Sequence, residues 1–353
     1  MGTGSQAPGD RRGARWRADC ACIGMRLPGS EAALAAAERQ VFLMKRIYLT
    51  VEDHLNEINT FEKGCWVHLQ NPTREEIDGI NARFALDPTY IQSALDEEES
   101  ARIERDGDQT LIIVDIPYVE AEGNGYSYTT VPLGIIMVDD VIITVSTRES
   151  TIITDFTEER IRGFWTFKRT RFILQLLHRN ASRFLAYLKQ IDKASMFVQT
   201  RLEASMRNQE LLQMMKLEKS LVYFSTSLKG NEMVLEKMLR MDMLRKYPDD
   251  SDLLEDVIIE NKQAMEMCAI YRDIMSGTMD AFASIISNNL NVVMKVLTSL
   301  TVVLSIPTLF ASLWGMNVGV PFENAPFGFW MVLGISVVAS VAAFVLLWRK
   351  KMF

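Results

Sequence analysis

From Val296 to Leu313, and again from Phe327 to Trp348, no residue carries a charge. Each run is close to the ~20 apolar residues with which a helix crosses a hydrocarbon core of about 30 Å. Lipid offers backbone groups no hydrogen-bond partner, so such segments are helical. Two transmembrane helices are predicted, residues 296–313 and 327–348, joined by a more polar connector at 314–326 and followed by a basic tail at 349–353.

Upstream the period changes. Between Arg46 and Thr147 the stretches "RIYLTV", "CWVHL", "TLIIVDIPYV", "SYTTVPLGIIMV" and "VIITVST" read as strands, with Asp139-Asp140 as a hairpin turn. "TREEIDGINARFAL" and "DPTYIQSALDEE" read as helices. Thr73 has Glu76 three residues later and Asp87 is followed by Pro88, arrangements that suit the free N–H groups of a first turn. Residues 44–154 are expected to form an α+β domain.

Beyond Thr154 the strand signals vanish. Apolar residues recur at steps of three and four from Phe156 to Glu203 and from Asn208 to Tyr247. The expectation is a hairpin of two long antiparallel helices within 155–250. Met214, Met215, Met233, Met238, Met241 and Met243 lie there at helical spacing, which suits core filler better than soft-metal binding. Pro248 with Asp249-Asp250-Ser251 ends the hairpin, and Asp252 with Glu255 is expected to cap the next helix. That helix should continue through a stalk, residues 251–295, into the first span as one rod of about 60 residues and roughly 90 Å.

Charge adds an orientation. Lys295 precedes the first span and Arg349-Lys350-Lys351 follows the second, whereas the connector holds one charge, Glu323. The positive-inside bias places both ends in the cytoplasm and the connector outside. Residues 1–295 are then a large cytoplasmic portion, with a plasma membrane (the inner membrane of a bacterial cell) as the expected location. Residues 1–43, rich in Gly, Ala and Arg, are expected to be a poorly ordered extension, with Met44 as an alternative start. Asp10, Asp19, Glu31 and Glu38 weaken a presequence reading.

The net charge of −7 argues against a nucleic-acid partner, which needs clustered Lys and Arg, and suits metal cations better. The four cysteines and three histidines show no zinc-site spacing. No nucleophile–base pair or phosphate loop suggests an enzyme.

A seven-residue step along the rod follows one face of a supercoiled helix. From Asp280 it reaches Ser287, Met294, Thr301 and Thr308, and the row beside it holds Gly277, Ser284, Asn291, Thr298, Ser305 and Ser312. Within the span these rows gather every polar residue except Ser299. Small and hydroxyl residues also serve as packing glue between membrane helices. The continuity of this face, which ends at Asn317, favours a water-filled path lined by neutral oxygens instead, with Met294 and Leu297 as a hydrophobic constriction. Two spans cannot enclose a pore, so several copies around an axis are required.

The triplet Gly315-Met316-Asn317 follows the first span, with "NVVMKVLT" (Asn291 to Thr298) earlier on the same helix, Pro307 within the span and a basic C-terminus. This combination closely resembles CorA-type magnesium transporters, over about residues 44–353. The resemblance implies a funnel-shaped homopentamer in which Gly315, Met316 and Asn317 ring the outer mouth, and the stripe from Asp280 to Ser312 lines the pore. Asn317 would offer an acceptor to hydrated Mg²⁺, which sheds water reluctantly, and Glu323 would add negative potential. It also implies that Mg²⁺ is both transported and regulatory, bound in the cytoplasm at acidic contacts between subunits. Asp256 matches a family sensor position, with Asp252, Glu260, Asp273 and Asp280 on the same helix. Across that interface, where the family has a carboxylate, this chain has Ser93, near Asp96, Glu97, Glu98 and Glu99.

Passive influx driven by the membrane potential is the expected function. Transport of Co²⁺, Ni²⁺ or Zn²⁺ is an alternative, as is a non-conducting Mg²⁺ sensor.

Overall fold

In the computed structural model residues 45–122, 125–205, 208–241, 248–316, 319 and 327–350 are described. The strands β1 (Lys45–Val51), β2 (His54–Ile58), β3 (Trp66–Gln70), β4 (Arg102–Asp106), β5 (Gln109–Glu122), β6 (Gly125–Val138) and β7 (Val141–Ser146) form a sheet in the order β2-β1-β3-β7-β6-β5-β4. β3 and β7 run parallel, and the other neighbours are antiparallel. Asp139 and Asp140 make the turn between the paired Val138 and Val141, with Asp139 at φ 49. Aspartate tolerates that left-handed conformation better than most residues.

Alternation along the strands divides the core. Leu111, Ile113, Ile136 and Ile143 pack against Ile80, Phe84, Tyr90 and Ile91, which lie on α1 (Arg74–Phe84) and α2 (Pro88–Leu95). Both helices start where their caps predict. Thr73 and Glu76 form the reciprocal capping box, and Asp87 Oδ1 accepts from Thr89 N at 2.8 Å. Gly134 of β6 lies so close to α2 that a β-carbon there would stand 2.3 Å from the Ala94 Cβ.

Ile112, Val114, Leu133, Ile135 and Ile142 face the opposite way, towards Phe156, Phe172, Leu235, Leu254 and Val257. These come from α3 (Thr151–Thr157), α4 (Arg169–Ser205), α5 (Asn208–Leu239) and α6 (Pro248–Trp314). Lower down, Phe184, Leu188, Leu221, Phe224, Ala264 and Cys268 join α4, α5 and α6 in a separate cluster. The last helix is α7 (Gly328–Arg349).

Three departures from the sequence expectation have physical causes. Edge strand β2 is largely exposed and mixes polar with apolar residues, and β4 is charged, so neither shows an apolar run. The helix expected to run unbroken from Phe156 is divided into α3 and α4. Phe156, Phe164 and Phe172 all pack around Trp66, with ring centroids 6.4, 6.1 and 5.1 Å away. The intervening chain bends through Glu159 and Gly163, both at positive φ. Thr50 and Thr166 hold the bend by reciprocal backbone-to-hydroxyl bonds of 3.2 and 3.1 Å. Finally, α6 begins at Pro248, so Asp252 lies inside the helix and does not cap it. Proline fits a first helical position because its missing N–H has no partner to lose there. The helix has 67 residues, about 100 Å at 1.5 Å per residue.

Candidate ion pathway along the long helix

The two apolar spans lie almost entirely open. In α6 and in α7 only 6% of the most hydropathic window is buried. Leu300, Leu304, Leu309, Val338, Val341 and Leu346 are all exposed, more apolar surface than water tolerates on a soluble monomer. Trp330 and Trp348 stand exposed near the two ends of α7, where indoles favour the membrane–water boundary. Length, composition and exposure agree on two membrane-spanning helices.

Within the spans α6 packs against α7. Ser299 is fully buried, and Val303, Ile306, Pro307, Phe310 and Trp314 are half-buried on the same side. On α7 Gly328 and Ser336 are buried, and the small Ala339, Ser340 and Ala343 are half-buried together with Met331, Val332 and Leu347. Small residues let two helix backbones approach closely. Ser299, the span's one polar residue off the stripe, is therefore a packing residue.

The stripe is on the other side. Asp280, Ser284, Ser287, Asn291, Met294, Leu297, Thr301, Ser305, Thr308 and Ser312 are all exposed. At 3.6 residues per turn, its span portion is centred about 170° around the helix from the α7-facing row. Among the described residues nothing covers it.

At the end of the rod Gly315 N donates to the Ala311 carbonyl at 2.9 Å. A β-carbon on Gly315 would lie 3.2 Å from that same oxygen, so the close wrapping of the chain there favours glycine. Met316 is exposed. Asn317 and Glu323 lie outside the described residues.

The acids outside the spans have unequal surroundings. Asp252 and Asp256 are exposed on the first turns of α6, while Glu260 accepts from Ser182 Oγ at 2.9 Å and ties α6 to α4. Asp273 lies 3.2 Å from Arg272. Asp96 ends α2 and accepts from Glu98 N at 3.0 Å. Among the described residues no three His, Cys, Asp or Glu side chains converge on one point. The described residues of one chain therefore form no multidentate site at Asp96, Asp252 or Asp256.

Two arginines that the charge pattern did not mark stand beside the acids of the Asp96–Glu99 loop. Arg102 of β4 donates to Ser93 Oγ at 3.2 Å and pairs with Glu104 at 2.9 Å and with Glu99. Its guanidinium holds the Glu99 carboxyl below the usual range. Arg148 pairs with Glu97 at 3.2 Å and with Glu120, and lies over the Tyr118 ring. Ser93, where the resemblance leads one to expect a carboxylate, is bonded to a guanidinium. Arg102 is three residues from Glu99, a spacing visible in the sequence, whereas Arg148 is 51 residues from Glu97 and reaches the acidic loop only through the fold.

Comparison with known proteins accords with this geometry. Residues 61–351 match the family model described as CorA-like Mg2+ transporter protein. The cobalt/magnesium transport protein CorA of Methanocaldococcus jannaschii is 29% identical over 319 residues, covering 85% of this chain and 95% of that protein. The protein of the same name from Thermotoga maritima is 24% identical over 307 residues, covering 81% and 82%. Among solved structures, the complete CorA magnesium transporter from M. jannaschii superposes with a TM-score of 0.75 at 24% identity, over 88% of this chain and 98% of that one. The full-length CmaX protein gives 0.66 at 18% identity, over 86% and 97%. With two exposed apolar helices, a polar face turned away from their contact and a family match spanning most of its length, this chain belongs to the CorA-like Mg2+ transporter family.

Proposed function

We propose that the chain is the subunit of a homopentameric channel through which Mg²⁺ enters the cytoplasm passively, with both termini on the cytoplasmic side of the plasma membrane. The observation that carries this reading is the placement of the polar stripe opposite the α7 contact. Symmetric association of copies through α6 would bring the stripes together around one path and leave α7 towards lipid. Gly315, Met316 and Asn317 would surround the outer mouth, with Glu323 nearby. The membrane potential supplies about 4.6 kcal/mol per 100 mV for a doubly charged ion.

Cytoplasmic Mg²⁺ would close the channel by binding between subunits at Asp252 and Asp256, with Asp96 on the neighbour, and by preferring the closed arrangement. Arg102 beside Ser93 weakens that site's negative potential relative to a carboxylate, so closure should need a higher Mg²⁺ concentration here.

The test is flux into liposomes holding the purified protein, with Mg²⁺ varied on both sides and Co²⁺, Ni²⁺ and Zn²⁺ compared. Potential-dependent Mg²⁺ entry that internal Mg²⁺ suppresses supports the reading. Tight vesicles at every internal Mg²⁺ level would point to a non-conducting sensor. Co²⁺ is a second cargo to measure, because both curated relatives carry cobalt and magnesium in their names.

A further inference from the structure

Two side chains of the rod reach across to backbone carbonyls within α5. Asn261 Nδ2 donates to the Leu228 carbonyl at 3.1 Å, and Cys268 Sγ to the Leu221 carbonyl at 3.2 Å. The donors are one seven-residue step apart on α6 and the acceptors one such step apart on α5, in the opposite order, as antiparallel helices in a single register require. A further step each way reaches Leu254 and Leu235 at one end of the seam and Met275 and Met214 at the other, all buried. Asn261 is only 2% exposed. Beside it Glu260 holds Ser182 of α4. Beyond Phe282 this support ends, and every residue from 283 to 298 is exposed.

An apolar seam by itself tolerates a slide of one helix turn, about 5.4 Å, the step by which packed elements exchange register. A buried amide resists it, because off its carbonyl it stays out of water without a partner. The turns of α5 on either side of Leu228 are already occupied. One holds Phe224, fully buried against Phe184, and the other holds Asn231, whose amide is bonded to Asp115. A single asparagine in a helix seam fixes register for this reason.

We propose that Asn261, supported by Cys268, sets the register of the rod on α5, so that α5 and the upper rod move as one body. Closure is then a tilt taken up along residues 283–298, not a slide of one helix over the other. The inference rests on the reading that cytoplasmic Mg²⁺ closes the channel.

The experiment places spin labels at Met233→Cys on α5 and Ile270→Cys on α6, both exposed and offset along the helix axis. The full-length protein carries serine at Cys20 and Cys22, while Cys65 and Cys268 are buried. Labelled subunits are diluted among unlabelled ones in liposomes, and the spin–spin distance is measured with Mg²⁺ and with EDTA. One distance, equal in both to within about half a turn, ~3 Å, is expected. A change of about 5.4 Å on adding Mg²⁺ is a slide and overturns the inference. Asn261→Leu keeps the seam filled and the helices folded, and should add a second distance. A single unchanged distance in that variant would show that packing alone sets the register and would remove Asn261 from the role. These distances are read without ion flux, so a channel whose flux ignores internal Mg²⁺ refutes the closing reading, whereas the register is decided by the labels.

Discussion

Asn231 of α5 binds the backbone of Asp115 as a neighbouring strand would: its Oδ1 accepts from Asp115 N at 2.9 Å and its Nδ2 donates to Asp115 O at 2.8 Å. Strand β4 stops at the pair Arg102–Ile113, and Pro132, opposite Asp115 on β6, has no N–H. A side-chain amide therefore satisfies backbone groups that the sheet leaves open, assisted by Asn180 Nδ2 on the same carbonyl at 2.8 Å. This contact ties the sheet to the helices that flank the rod.

Asn231→Ala should destabilise the protein by about 1–3 kcal/mol, because the Asp115 N–H loses its partner while the Asp115 carbonyl keeps only Asn180. Asn231→Asp should be nearly as harmful, since a carboxylate accepts but cannot donate. Thermal unfolding in detergent measures both, and a midpoint unchanged by alanine would show that water replaces the amide without cost.

Asp115 itself gives a pH dependence. Burial raises its carboxyl above the ordinary value, and a bond from Ser227 opposes this only in part. A raised carboxyl stays protonated in the folded state after the unfolded chain has ionised. Its destabilising effect is therefore absent below the unfolded pKa, grows as pH rises towards the folded value and is constant above it. Asp115→Asn should stabilise the protein at neutral pH, with the gain vanishing in acid. A gain that is independent of pH would assign it to packing.

Asp155 behaves in the opposite sense. Its side chain is fully buried, 2.7 Å from Arg179 and 3.2 Å from Arg160, with Arg183 also bonded. Burial alone would raise its pKa, but Arg179 and Arg183 outweigh it and the carboxyl is held low. Its stabilisation is present above the ordinary carboxylate range and is lost as pH falls through the depressed folded value. Asp155→Asn should cost about 3–5 kcal/mol at neutral pH, because arginines gathered around a buried anion lose it. Unfolding midpoints from pH 7 down to pH 3 should converge for the two proteins, and parallel curves would contradict this assignment.

Asn317→Ala should reduce Mg²⁺ uptake to background while chemical crosslinking still captures the assembled oligomer. The loss follows from removing the acceptor proposed to receive the hydrated ion at the outer mouth. Uptake at the wild-type rate would remove Asn317 from that role.

Asp256→Lys places a cation where closure is proposed to need Mg²⁺ between subunits. The internal Mg²⁺ giving half-inhibition should rise by about tenfold, within the usual range of coupling between sites. Flux inhibited as in the wild type would take Asp256 out of the sensor.

Much of this molecule is determined locally, and those parts are legible in the chain itself. Thr73 with Glu76, Asp87 with Pro88 and the Asp139-Asp140 turn work through neighbours a few residues apart. The spans are decided by uninterrupted apolar length, and the stripe from Asp280 to Ser312 by helical period alone. Tertiary structure decided the rest. β2 and β4 become strands because partners supply their hydrogen bonds, despite polar exteriors. The chain turns between α3 and α4 because Trp66 gathers three phenylalanines from separate turns. Arg148 meets Glu97, 51 residues away, only once the sheet has formed. Which helix face is covered was also a tertiary matter: both faces of the first span carry a serine, and only the packing of α7 on Ser299 left the other open. Local order follows from short-range sterics and hydrogen bonds, whereas burial and ion pairing depend on distances set by the whole fold.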